Sequence, residues 1–242
     1  AKISAMKITK ILITHWHGDH ILGLPGLFLT LGSQGYVQVL EIYGPKGSKE
    51  FIKKIMDLFI HKESIKYKII EIEKGIFFEN EHFIIEALPL QHSVPCLGYR
   101  FTEKDKRKIH MAKLKKVHVK EGAHLKNLQR GEDIIYDGKK IKAKDYTSLL
   151  PGKKIGFVTD TQLCENAITL AKDVDILFCE STSLEDMKEQ ALERKHMTAS
   201  QAAHIAKKAH SKKLVLIHFS QRYKDASSFY KEAKKIFPHI VM

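Results

Sequence analysis

Along the chain, short apolar runs rich in β-branched residues alternate with stretches whose apolar positions recur at helical spacing. The runs predict strands over Lys10–Thr14, Val39–Tyr43, Tyr67–Ile72, Phe83–Leu90, Lys154–Thr159, Val174–Glu180 and Lys213–Ile217. The periodic stretches predict helices over Ile21–Leu31, Gly47–Phe59, Glu165–Ala171, Leu184–Arg194, Ala199–Ala209 and Ala226–Ile236. Thr198 followed by Gln201 reads as a capping box at the fifth helix, and Asp225 as a cap for the sixth. Strands that alternate with helices in this way predict a layered α/β fold.

One segment breaks the pattern. Between Lys104 and Lys154 the aliphatic residues are scattered, aromatic residues are few, and turn signals stand at Glu121-Gly122 and Gln129-Arg130-Gly131. The net charge of the protein is +13, and this segment holds 16 Lys and Arg against 6 Asp and Glu. About ten of the excess positive charges therefore lie here. The pattern predicts a basic arm or loose hairpin without a core of its own. Clustered positive charge favours a polyanionic partner, because neutralising phosphates releases counterions. The bland alternative is a solvated, lysine-rich insertion.

The 242 residues are enough for one large domain or two small ones. No apolar run approaches the eighteen residues or so of a membrane span, and no secretory leader is evident. Cys96, Cys164 and Cys179 are an odd number, widely spaced, and form no CxxC pair. Cys164 and Cys179 fit reduced, buried small hydrophobes, so the expected compartment is the cytosol.

Candidate chemistry is concentrated in His15-Trp16-His17-Gly18-Asp19-His20, directly after the first strand. Three imidazoles and a carboxylate within six residues, on a strand-to-helix turn, suit zinc and related divalent metals. Gly18 is expected to let the backbone turn tightly between the two pairs. Further ligand types follow later strands: His92 after Phe83–Leu90, Asp160 after Lys154–Thr159, and His218 after Lys213–Ile217. Each alone could be an ordinary surface or turn residue. Sites gather at strand ends in layered α/β folds, so their shared position argues for one centre.

The HxHxDH run with its later His, Asp and His resembles the metallo-β-lactamase superfamily. Within it, the chain resembles the ribonuclease Z family, the tRNA 3′-processing endonucleases. The residues that carry this are Thr14 to His20 with Gly23-Leu24-Pro25-Gly26, and Gln91-His92-Ser93-Val94-Pro95 with Gly98-Tyr99-Arg100. They continue through Thr159-Asp160-Thr161, Glu180-Ser181-Thr182, His196-Met197-Thr198, Gln201-Ala202-Ala203 and His218-Phe219-Ser220-Gln221-Arg222-Tyr223. The resemblance implies a four-layer αββα sandwich over residues 1–242, with 104–154 as an inserted tRNA-binding arm. The family's opening strands and its Asp-Cys-Gly turn have no match, so the chain is expected to lack its first strands.

The resemblance also implies two zinc ions. His15, His17 and His92 would hold one, Asp19, His20 and His218 the other, with Asp160 bridging. Asp19 would double as proton acceptor, His196 would lie beside the leaving oxygen, and Glu180 would orient His196. Arg222 and Thr198 are weaker candidates for phosphate contact. The expected reaction removes the 3′ trailer from precursor tRNA, leaving a tRNA 3′-hydroxyl and a 5′-phosphate on the trailer. A homodimer is implied as well.

Three rival readings differ in class. A small-ester, lactam or thioester hydrolase of the same superfamily has little use for a lysine-dense arm. A nuclease branch with a large late insertion does not fit the 57 residues between Asp160 and His218. A non-catalytic RNA-binding module should have lost ligand residues, and all seven are present.

Overall fold

The structure is a computed structural model that describes residues 3–58 and 65–241. It divides into two compact units, one of residues 1–79, 85–101 and 154–242, the other of 80–84 and 102–153.

In the first unit, β1 (Lys10–Leu12), β2 (Leu40–Gly44) and β3 (Tyr67–Glu71) form a parallel sheet in that order. A seven-stranded sheet is built, in chain order, from β4 (Gly75–Glu79), β5 (Phe83–Leu90), β6 (Cys96–Glu103), β11 (Lys154–Val158), β12 (Ile176–Glu180), β13 (Leu214–Ile217) and β14 (Ile240–Val241). Its spatial order is β14-β13-β12-β11-β6-β5-β4, and the β11-β12-β13-β14 portion is parallel.

Helices cover one face of each sheet. On the first sheet, α1 (Gly18–Ile21), α2 (Gly23–Ser33) and α3 (Ser48–Asp57) bury Ile21, Phe28, Leu31 and Ile52 against Leu40 and Ile42. On the second, α7 (Glu165–Ala171), α9 (Ala199–Lys208) and α10 (Ser227–Lys234) bury Leu170, Ile205 and Phe229 against Leu177 and Leu214. Tyr43, Ile72, Ala87, Leu97 and Tyr99 form a third cluster drawn from both sheets. Helix, sheet, sheet, helix is the αββα order that the family resemblance implied. Each fully buried Leu, Ile or Phe stabilises such layers by about 1.5–3 kcal/mol.

Two hydrogen bonds tie β6 to the end of β1: the Tyr99 hydroxyl donates to the Ile13 carbonyl at 2.6 Å, and the Leu97 amide to the Thr14 carbonyl at 2.9 Å. The chain just before His15 is thereby fixed.

Some elements differ from the sequence expectation. The helix expected over Ile21–Leu31 is two, because α1 already begins at Gly18. Gly18 is not needed for a left-handed turn; it has negative φ and opens α1. Pro25 stands in the first turn of α2, where its missing N–H has no intrahelical partner to lose. The end of the helix expected over Gly47–Phe59 lies outside the described residues.

The second unit overturns the expectation of an arm without a core. Leu114, Val119, Leu128, Ile134, Ile141 and Ala143 are buried together. They come from α4 (Met111–Lys116), α5 (Leu125–Arg130), β8 (Ile134–Tyr136), β9 (Lys139–Ile141), α6 (Ala143–Tyr146) and the loop before α5. An antiparallel pair, β7 (Lys106–Ile109) with β10 (Thr147–Leu150), completes the unit. The β8–β9 hairpin turns on Asp137 and Gly138, both at positive φ, as a two-residue type I′ loop requires.

Candidate metal centre

The site is made where strands end. Asp160 lies two residues beyond β11, Glu180 is the last residue of β12, and His218 follows β13. Because these strands are parallel and in register, their C-terminal ends present these side chains side by side. His92 lies two residues beyond β5, and His15 three beyond β1. His17 stands at the residue before α1, which carries Asp19 and His20.

The structure brings all seven expected ligands together. His15, His17, His92 and Asp160 form one group whose ligand atoms lie within 4.8 Å of one another, and Asp19, His20 and His218 form another. His15 Nε2 is 3.1 Å from His17 Nδ1, which is 3.3 Å from His92 Nε2. Asp160 Oδ2 lies between the groups, 3.6 Å from His15 Nε2 and 3.4 Å from both His20 Nε2 and His218 Nε2. Asp19 Oδ2 is 3.4 Å from His20 Nε2 and 3.7 Å from His218 Nε2. His196 is also within this reach of Asp160 and His218, although the sequence reading kept it out of the ligand set.

A divalent metal fits this cluster. Asp160 Oδ1 and His20 Nε2 are buried with no hydrogen-bond partner. Such groups cost about 1–3 kcal/mol each unless something satisfies them. Electrostatics differ across the set: the bond to Asp160 raises the His20 pKa, whereas those of His15 and His92 go down. Burial pushes the His15 pKa down to about 4, against the opposing pull of Asp160, so the imidazole is neutral at ordinary pH. Burial lowers that of His92 too. Burial alone would raise the Asp160 carboxyl, but the imidazoles of His20, His218 and His15 outweigh it and hold it below the usual range.

Around the ligands, the backbone and a buried carboxylate set orientation. His92 Nδ1 donates to the Lys195 carbonyl at 3.2 Å, which leaves Nε2 for the centre. Lys195 has φ 56° and follows α8 (Lys188–Glu193) by two residues. That left-handed step aims its carbonyl at His92 and delivers the next residue, His196, to the site. Glu180 is fully buried and is an acceptor throughout. It takes bonds from the Thr161 amide (2.6 Å), the Met197 amide (3.1 Å), the Thr182 amide and hydroxyl (3.3 and 2.7 Å), and His196 Nδ1 (3.0 Å). Burial pulls the His196 pKa down, but the bond to Glu180 prevails and the net shift is upward.

Replacing Glu180 with alanine is therefore expected to lower stability by about 3–5 kcal/mol, as for other buried charged partners. Urea unfolding would show a lower midpoint at unchanged slope. A midpoint equal to the parent's would mean that the freed donors find water instead.

The two weaker candidates fare differently. Arg222 is exposed, on the loop after β13. Thr198 is fully buried; its hydroxyl accepts from the Gln201 amide at 3.2 Å and donates to Glu185 at 2.7 Å. Phosphate contact at Thr198 is corrected on that ground, because the hydroxyl is committed to the cap of α9. The Lys195 carbonyl that holds His92 Nδ1 and the Thr182 hydroxyl that reaches Glu180 lie outside the expected site residues. A carbonyl or a single hydroxyl leaves no signature in residue type, although the strand-end position of Thr182, two residues after Glu180, is a usable signal.

The family model of the beta-lactamase superfamily domain matches residues 2–139 and 143–219, which defines the class of this protein. Ribonuclease BN of Cronobacter sakazakii is 41% identical over 237 residues, spanning 96% of this chain and 78% of that protein. Ribonuclease Z of Nanoarchaeum equitans is 42% identical over 222 residues, spanning 91% and 70%. Among solved structures, human tRNase Z, short form, superposes with a TM-score of 0.66 at 29% identity, covering 93% of this chain and 77% of that one. The chain belongs to the ribonuclease Z family.

Proposed function

We propose that this protein is a zinc-dependent endoribonuclease that removes 3′ trailers from precursor tRNA. The observation that carries the reading is the convergence of seven ligand-type side chains with a His196–Glu180 pair beside them, in a chain of this family. The products are a tRNA 3′-hydroxyl and a 5′-phosphate on the trailer.

His15, His17 and His92 would hold one zinc and Asp19, His20 and His218 the second, with Asp160 available to both groups. When bound, the metal pair supplies a water of lowered pKa as nucleophile and neutralises charge on the phosphate. Asp19 has a largely exposed carboxylate 3.4 Å from His20 Nε2, open to accept a proton from the attacking water. His196 donates from Nε2 to the departing 3′-oxygen while its Nδ1 stays on Glu180. The raised pKa keeps that imidazole protonated further toward neutral pH, as a general acid needs. The substrate's 2′-hydroxyl has no part as nucleophile.

The basic unit grips the body of the tRNA, and Arg222 contacts a phosphate near the cut. The protein acts in the cytosol as a homodimer. Among the described residues, no helix is long and apolar enough to cross a membrane.

Incubation of the protein with a precursor tRNA carrying a 3′ trailer, with and without chelator, tests the proposal. A cut after the mature end, abolished by chelator and leaving a 5′-phosphate on the trailer, is expected. Hydrolysis of small esters with no RNA cleavage would overturn it. Elemental analysis of carefully prepared protein is expected to give two zinc ions per chain, because seven ligands exceed one tetrahedral site. A single well-occupied metal that leaves His20 and His218 uncoordinated would contradict the paired arrangement.

A further inference from the structure

We propose that Thr182 is a positioning residue of the centre, whose hydroxyl fixes the orientation of His218 and joins it to the Glu180–His196 pair. The inference rests on the metal-centre reading above and adds a residue to which no role was assigned.

A threonine hydroxyl has one proton to give and two lone pairs to receive with. Its oxygen lies 2.7 Å from Glu180 Oε2, 2.9 Å from His218 Nδ1 and 3.3 Å from His196 Nδ1. The single proton goes to Glu180, whose other partners are all donors. Toward His218 the hydroxyl can then only accept, so His218 carries its hydrogen on Nδ1. Nε2 is left with its lone pair, on the side facing Asp160 and Asp19 at 3.4 and 3.7 Å. That is the tautomer a ligand through Nε2 requires.

The backbone around His218 makes this bond consequential. His218 stands at φ 61°, in the left-handed region that a side chain beyond glycine occupies only when its surroundings hold it there. The holding bonds come from the Thr182 segment. The Ser181 amide donates to the Ile217 carbonyl at 2.9 Å, and the Ser220 amide to the Thr182 carbonyl at 3.1 Å. Within that frame the Thr182 hydroxyl makes the hydrogen bond to the His218 ring. The same hydroxyl touches both the ligand and, through Glu180, the proposed proton donor.

The test compares Thr182→Val, which removes the hydroxyl, with Thr182→Ser, which keeps it. Two readouts are taken on the full chain. Zinc affinity is measured by competition with a chromophoric chelator, and the His218 tautomer by long-range proton–nitrogen NMR of the metal-free protein. Thr182→Val is expected to weaken one of the two zinc sites about 10–100-fold and leave the other at the parental affinity. It should also lose the uniform Nδ1–H form of His218. Thr182→Ser should restore both.

A valine variant with parental affinity and parental tautomer overturns the assignment. So does equal weakening of both sites with a lower melting temperature of the metal-free protein, which marks a general packing defect. If the parent takes up no zinc, the metal-centre reading fails, and the His218 spectrum alone then decides the role of Thr182.

Discussion

Replacing His196 with alanine is expected to slow trailer removal about 10²–10⁴-fold, the usual cost of losing a general acid. Its Nδ1 is spent on Glu180, so only Nε2 is free to face substrate. The seven proposed ligands remain in the variant, and zinc content should stay at the parental level. Replacing His92 should do the reverse and deplete metal, because its Nδ1 is fixed on the Lys195 carbonyl and its Nε2 faces His17 at 3.3 Å. Paired elemental analysis and single-turnover cleavage check both variants. The decisive case is His196, which also lies within ligand reach of Asp160 and His218. Loss of zinc from the alanine variant would make it a ligand and would falsify the division of roles.

The second large effect concerns the basic unit. Exchanging residues 104–153 for a short Gly-Ser linker should leave hydrolysis of a small phosphodiester intact and abolish most cleavage of precursor tRNA. The segment carries most of the excess positive charge, whereas every proposed ligand lies in the other unit. Its own buried cluster makes it a self-contained piece of structure to remove. Affinity for tRNA should fall with salt in the parent and less steeply in the deletion, by about 0.7–0.9 in the log–log slope for each phosphate no longer neutralised. Precursor cleavage at the parental rate by the deletion would leave the lysines as solvated surface. Loss of both activities together would point to a damaged sandwich, which circular dichroism would reveal.

Legibility followed chemistry. β5 and α7 have the bounds that their apolar patterns predict, and the strands before Asp160 and His218 end within a residue of expectation. β6 escaped, because four consecutive buried residues around Gly98 show no alternation. Gly98 is there for space: a Cβ would come within 2.5 Å of Leu170 Cδ1 and 3.1 Å of the Phe157 carbonyl. In the basic unit, Leu114, Leu128, Ile134 and Ile141 meet only after several short elements fold back, so no window of sequence displays their convergence. Asp137-Gly138 was a readable hairpin signal there. At the site, the proposed ligands announce themselves as His and Asp. The parts that aim them, the Lys195 carbonyl and the Thr182 hydroxyl, do not.

The spread of the ligands along the chain has a consequence for biogenesis. Four of the seven donors emerge from the ribosome within six residues, yet the set is complete only at His218, about 200 residues later. At about 5–20 residues per second, the first histidines wait on the order of 10–40 s for the last. A nascent chain therefore carries half of the proposed metal centre long before it can cut RNA. Products truncated between Asp160 and His218 keep His15, His17, His92 and Asp160 but lack His218 of the second group. They would sequester metal while leaving precursor tRNA untouched.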